Sequence, residues 1–347
     1  MTSSALASLQ DAYLVGLVSG CQGVREMKRE GLLPYSKSYS CQLLGVEAHP
    51  YQSSLLRRLA VAPGGGYLVA DGLFVAHDGE RLEGLGRHYN SSLRNAQWGH
   101  RFLSSALVYP GEDAYVLGAE PLLSKAMATS AYPYRTAGEA LVEQVAKVRA
   151  TGYEIKGVLV DTEFTSRQTL VNLKEQEVAF IGRFRASNKV TYQAQVIKAK
   201  DLAEQFPAGK SRYYPKLGVY AKRLEVELED LGKIDLIIVW KAQGYGWYLS
   251  TFISTIAAGV QELIRTYKLR WGLEVAHRLL KQNLNLGFCQ CFAYSAQLQH
   301  LDLAIEALHR LRQQKRKHPE LSWREAQLLA ADICKNALLT ELNAIAA

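Results

Sequence analysis

The stretch Tyr267-Lys268-Leu269-Arg270-Trp271-Gly272-Leu273-Glu274-Val275-Ala276-His277-Arg278-Leu279-Leu280-Lys281 holds the most informative pattern in the chain. Wound at roughly 100° per residue, Tyr267, Arg270, Glu274 and Lys281 fall at about 0°, 300°, 340° and 320°, within a stripe about 60° wide. Leu269, Leu273, Ala276 and Leu280 fall opposite, at about 180–240°. This predicts one amphipathic helix over 254–282. Its apolar side faces a core, and its polar side lines up a phenol, two bases and one acid. Arg270 and Glu274, at i and i+4, make an ordinary surface ion pair if nothing else faces them.

Two other places give Glu274 a second meaning. Tyr67-Leu68-Val69-Ala70 reads as a short strand ending in Asp71, and Lys156-Gly157-Val158-Leu159-Val160 as a buried strand ending in Asp161. A helical carboxylate meeting both aspartates over the strand ends assembles three hard oxygen ligands of the kind that suit Mg²⁺ or Mn²⁺. Two such ions about 3.5–4 Å apart activate a water and stabilise the leaving oxygen of a phosphodiester. Asp78 is the alternative first carboxylate. Glu163 reads as a local cap or an exposed acid.

Around these points the chain reads as α/β. Residues 1–60 are mostly helical, with breaks at Gly20, Gly23, Gly31–Pro34 and Pro50. A three-stranded meander follows Pro63-Gly64-Gly65-Gly66, with a polar turn at His77-Asp78-Gly79-Glu80. Then come a helix over Thr136–Thr151, the Asp161 strand, a helix over Ser166–Lys174 and a strand over Val178–Phe184. The segment 183–250 is strand-rich and holds 12 basic against 7 acidic residues, with six tyrosines and two tryptophans. Such a surface tracks phosphates and stacks bases, or is simply a basic sheet face. Two further helices are expected over 296–317 and 322–345. The run His309–His318, with five bases and no acid, is a solvated helix end or a DNA contact. The division is 1–60, 61–182, 183–250, 251–295 and 296–347.

The chain has 347 residues and a formal charge of +8, which favours a polyanionic partner. No apolar run approaches the roughly 18 residues of a membrane span. Met1–Gly20 lacks a basic start and is not read as a secretory signal. Five scattered cysteines read as reduced thiols of a cytoplasmic protein. Cys289-x-Cys291 has no second ligand pair, so zinc is not expected. His277 reads as a solvated residue flanking the polar stripe.

The spacing Tyr267, Arg270, Glu274, Lys281, with Trp271 after the arginine, resembles the YREK signature of insertion-sequence-four-like DDE transposases. Val158–Asp161 looks like that family's second-Asp strand, and Tyr67–Asp71 like its first. Arg87-His88-Tyr89 and Asn95-Ala96-Gln97 resemble the strand region after the first Asp. The resemblance covers roughly 55–300 and is strongest at 245–285. It implies an RNase H-like mixed sheet with flanking helices, interrupted by a β-rich insertion. It also implies a nucleoid-associated cut-and-paste transposase using two Mg²⁺ (or Mn²⁺) ions on Asp71, Asp161 and Glu274. Tyr267, Arg270 and Lys281 would contact phosphates, and Trp247 would stack on a flipped base at a hairpin end. The implied partners are double-stranded DNA (terminal inverted repeats and target) and a second copy in a synaptic complex, with no membrane. A stand-alone nuclease, or a transposase-derived DNA-binding or regulatory protein that does not cut, stays open.

Overall fold

The computed structural model describes residues 3–346 except 34, 48, 79 and 91–93. Pro34 and Gly79, two of the expected break positions, lie outside the described residues. The N-terminal region is helical as expected: α1 (Ser3–Val18), α2 (Val24–Arg29), α3 (Lys37–Leu44) and α4 (Pro50–Val61). Pro50 opens α4, where its missing N–H has no intrahelical partner to lose.

Next come β1 (Tyr67–Ala76), β2 (Gly86–Asn90), β3 (Asn95–Val108), β4 (Tyr115–Pro121), α5 (Ala137–Ala150), β5 (Gly157–Val160), α6 (Arg167–Glu175) and β6 (Phe180–Phe184). Thr136 and Glu139 form a reciprocal capping box that starts α5. The strand-rich segment supplies β7 (Lys189–Tyr192), β8 (Gln195–Lys198), a short α7 (Ala199–Gln205), β9 (Arg212–Tyr214), β10 (Val219–Leu228) and β11 (Gly232–Gln243). The chain ends with β12 (Gly246–Ser254), α8 (Val260–Lys268), α9 (Trp271–Gln282), α10 (Tyr294–Lys317) and α11 (Trp323–Ala346).

The strands form one mixed, 12-stranded sheet in the order β2-β3-β1-β5-β6-β12-β11-β10-β7-β8, with β4 also on β3 and β9 on β10. Its centre, β1-β5-β6, is parallel. The strand-rich segment joins this centre through the antiparallel β6–β12 pair, so it extends the sheet. Strand alternation sorts the central side chains to two faces. Val69, Leu73, Leu159 and Ile181 pack with residues of α1, α9 and α10. Leu68, Ala70, Val158, Val160 and Phe180 pack with residues of α4, α5 and α6. Gly182 is needed at this centre, because a Cβ there would come within 2.8 Å of the Val160 side chain.

Four expectations are corrected. β1 does not end at Asp71 but runs to Ala76, because β3 pairs with it out to Gly99. The meander has four strands, with Arg87–Tyr89 in β2 and Asn95–Gln97 in β3. The single helix over 254–282 is two: Ser254 closes β12, and Leu269–Arg270 separates α8 from α9. There the N–H groups of Leu269, Arg270 and Gly272 bond three residues back, a tighter turn than the α-helical one. Finally, Cys41 and Cys291 are joined in a disulfide, while Cys21, Cys289 and Cys334 are free and buried. The partners are 250 residues apart, a pairing that spacing along the chain cannot reveal.

Candidate active site

The parallel register of β1 and β5 places the two aspartates. Tyr67, Leu68 and Val69 pair with Gly157, Val158 and Leu159. Two further steps put Asp71 level with Asp161 on neighbouring strands, about 4.8 Å apart in the pairing direction. By alternation both share a face with Val69 and Leu159, the face on which α9 packs. Leu273, Ala276 and Leu280 bury the apolar side of α9 there, which leaves Glu274 at its margin.

The three carboxylates surround one guanidinium. Arg270 Nη1 lies 3.2 Å from Asp71 Oδ2, and its Nη2 lies 4.0 Å from Asp161 Oδ2 and also binds Glu274 Oε1. Each aspartate is tethered by its other oxygen: Gly72 N donates to Asp71 Oδ1 at 2.9 Å, and Thr162 N to Asp161 Oδ1 at 2.8 Å. The second oxygen of each is thereby aimed at the common centre. Burial pushes the Asp71 carboxyl up to about 6, against the pull of Arg270 and the Gly72 N–H, and Asp161 and Glu274 push the same way. Burial opposes the Arg270 charge, but Tyr267 and the three carboxylates more than offset it and hold the guanidinium above its ordinary value.

The other expected site residues fall around this centre at different distances. Tyr267, at the end of α8, lies under Arg270, with the guanidinium carbon 6.0 Å from its ring centre, and it makes an edge contact with the Phe252 ring at 4.7 Å between centres. Burial raises its phenol to about 12. Lys281 lies on the exposed flank of α9. Desolvation lowers its ammonium and Asp71 pulls it back up, which places its charge within range of the site. Trp247 is not at the carboxylates. Arg183 is one step beyond the Gly182–Val160 pair and is matched to Phe252, so Trp247 is five residues further along β12, roughly 17 Å. It projects past the ends of β5 and β6, half exposed, with Tyr220 edge-on at 5.4 Å. Trp240 donates to the Phe206 carbonyl at 2.9 Å and is a sheet residue.

Asp78 lies beyond the far end of β1, in a separate cleft with His77, Glu80 and Phe288, so Asp71 is the acid that meets Asp161. His277 is not solvated: it is 8% exposed, and burial lowers its imidazole to about 3. Sequence reasoning missed Arg101 and gave Arg183 no role. Arg101, from β3, pairs with exposed Glu163 beside Gly72, and Arg183, from β6, bonds the Tyr248 hydroxyl. Neither has a local signal, because each is brought in by strand pairing.

No protein-family model matches the chain, and no curated protein matches it. The donor set fits a hard divalent cation in kind: three carboxylates, two of them with one oxygen held by a backbone N–H, converge on a single positive group. They are spread around the Arg270 guanidinium. Among the described residues no group of three or more acids, histidines or cysteines is drawn close enough to hold an ion. No described helix is long and apolar enough to cross a membrane.

Proposed function

We propose that the chain is a DNA transposase of the insertion-sequence-four-like DDE class. It cuts at transposon ends and joins them to target DNA by metal-dependent phosphoryl transfer. The observation that carries this reading is the convergence of Asp71, Asp161 and Glu274, from three separate segments, on one cationic centre. An RNase H-like core is supported by the placement of the two Asp-bearing strands side by side and parallel, with the Glu-bearing helix over the same face.

Bound ions would supply activation of the attacking oxygen and stabilisation of the leaving one. Asp71, Asp161 and Glu274 hold that centre. Water attacks the end phosphodiester, and the P–O3′ bond breaks to free a 3′ hydroxyl. That hydroxyl attacks a target phosphodiester in turn, with no covalent enzyme intermediate. Arg270, Lys281 and Tyr267 position phosphates. Arg270 stands among the same three carboxylates, so they would hold a divalent cation only with the guanidinium turned away from them, toward a phosphate. The partners under this reading are duplex DNA and a second copy of the chain.

A second reading, a DNA-binding protein that does not cut, is favoured by the same Arg270 contact, since the arginine already neutralises the carboxylates. Titration of the full chain with Mn²⁺, followed by electron paramagnetic resonance, separates them. The transposase reading expects binding that Asp71→Asn, Asp161→Asn and Glu274→Gln each weaken at least about tenfold, equivalent to about 1.4 kcal/mol. Absence of site-dependent Mn²⁺ binding leaves the non-cutting reading.

A further inference from the structure

Behind the acidic site, across one residue of the β3–β4 loop, lies a basic cleft that the proposed chemistry does not use. Ala114 is the partition. On one side its Cβ lies 3.1 Å from where a Gly272 side chain would begin, so α9 packs tightly against it just after Arg270. On the other side its carbonyl accepts from Arg312 Nη1 of α10. Beyond Arg312 opens a cleft of about 600 Å³, lined among others by Arg310, Arg316, Lys317, Glu306 and His309.

Arg312 is the unusual member. It is 3% exposed, and its Nε and Nη2 have no hydrogen-bond partner. Among the described residues it makes no ion pair within 4.0 Å, and Asp113 is the acid whose charge it feels. Burial lowers its guanidinium to about 10. A buried charged donor without acceptors is destabilising, and arginine's planar fork suits the oxygens of a phosphate. The rim supplies more positive charge. Arg310 and Arg316 are about half exposed and meet Glu306 and Glu112 only at 3.7 and 3.8 Å, while Lys317 is open to solvent. His309 adds no charge, since burial holds it near 3 and its Nε2–H donates to the Val116 carbonyl at 2.8 Å.

We propose that this cleft is a second anchor for a nucleic-acid backbone. A phosphodiester sits over Arg312, and flanking phosphates lie along Arg310, Arg316 and Lys317. Its closeness to α9 favours the DNA whose ends the carboxylates would cut over a free phosphate, and to that extent the proposal rests on the transposase reading. The cleft would fix the path of the duplex on the far side of Ala114 from the reacting phosphate.

The test measures binding of a fluorescent duplex to the full chain across a salt series, beside melting curves with and without duplex or inorganic phosphate. The Arg316→Gln/Lys317→Gln variant should lose about tenfold in affinity, and its log–log salt slope should fall by about two units, with an unchanged melting temperature. Arg312→Met, which keeps the volume without the charge, should melt no lower than the wild type but lose most of the duplex-induced stabilisation. Wild-type affinity and salt slope in these variants overturns the proposal, as does stabilisation of the wild type by phosphate but not duplex. So does an Arg312→Met protein that melts lower yet keeps its full duplex response, for Arg312 would then be only a packing residue. Cleavage by the wild type, run in parallel, keeps the two claims apart. Cutting with unaffected cleft variants removes the cleft alone. Cleft-dependent binding without cutting removes the transposase reading alone.

Discussion

Arg270 Nη1 stands 3.2 Å from Asp71 Oδ2, although 199 residues separate the two in the chain. The contact turns what spacing alone reads as a local Arg270–Glu274 pair into the hub of a three-acid cluster. One partly buried cation thus offsets the mutual repulsion of the three carboxylates.

Removing that cation should therefore destabilise the free protein, and a divalent ion should compensate. The four side chains are all less than a third exposed, so solvent screens them only partly. Arg270→Ala should cost about 1–3 kcal/mol in chelator-treated buffer, the penalty of leaving partly buried charges without a partner. Melting curves in chelator and in Mg²⁺ check this. The variant should gain more from Mg²⁺ than the wild type does, and equal gains would mean that the carboxylates do not form a cation site.

Trp247 gives a prediction that separates a stacking role from packing. Its ring is half exposed and touches Tyr220 edge-on, so packing gives it little to lose. Stacking on a flipped base is worth about 1–3 kcal/mol. Trp247→Ala should melt within about 1 kcal/mol of the wild type. It should nick transposon ends at a near-normal rate and accumulate nicked product without hairpins. A time course resolving nick, hairpin and double-strand break checks this. Equal slowing of every step with a depressed melting temperature would assign Trp247 to packing.

Acid should weaken the fold through its buried imidazoles. Burial holds His100 and His300 near 4 and His277 and His309 near 3, all below the ordinary 6.5. The unfolded chain therefore takes up protons first. This stability is complete above pH 6.5 and falls as pH drops toward the folded values, by up to about 1.4 kcal/mol per pH unit for each group. Urea unfolding at stepped pH measures the slope. His309→Gln, which can still donate to the Val116 carbonyl, should flatten it by about one group's share. An unchanged slope would place His309 outside the linkage.

The sequence made faces legible better than partners. The unbroken apolar run Val158–Val160 marked a strand buried on both faces, and the Leu273, Ala276, Leu280 spacing identified the buried side of α9, because helical burial repeats with the period of the backbone. It did not show that β1 continues past Asp71, since that depends on β3 pairing alongside. Nor did it show the break at Leu269–Arg270, where α-helical periodicity is interrupted for barely one turn and the polar stripe is almost undisturbed. The convergence on Arg270 depends on the β1–β5 register, a relation between distant segments with no local trace. The burial of His277 and the Cys41–Cys291 bond were hidden for the same reason.

Cleavage of duplexes bearing the terminal repeats that flank the encoding element tests the central claim most directly, with wild type and Asp161→Asn compared in Mg²⁺. Asp161 already has one oxygen on the Thr162 N–H, which asparagine can keep, so the substitution removes charge with little change of shape. The account predicts cutting at the repeat ends by the wild type, and none by Asp161→Asn at undiminished end binding. Cutting by Asp161→Asn at close to the wild-type rate would contradict it.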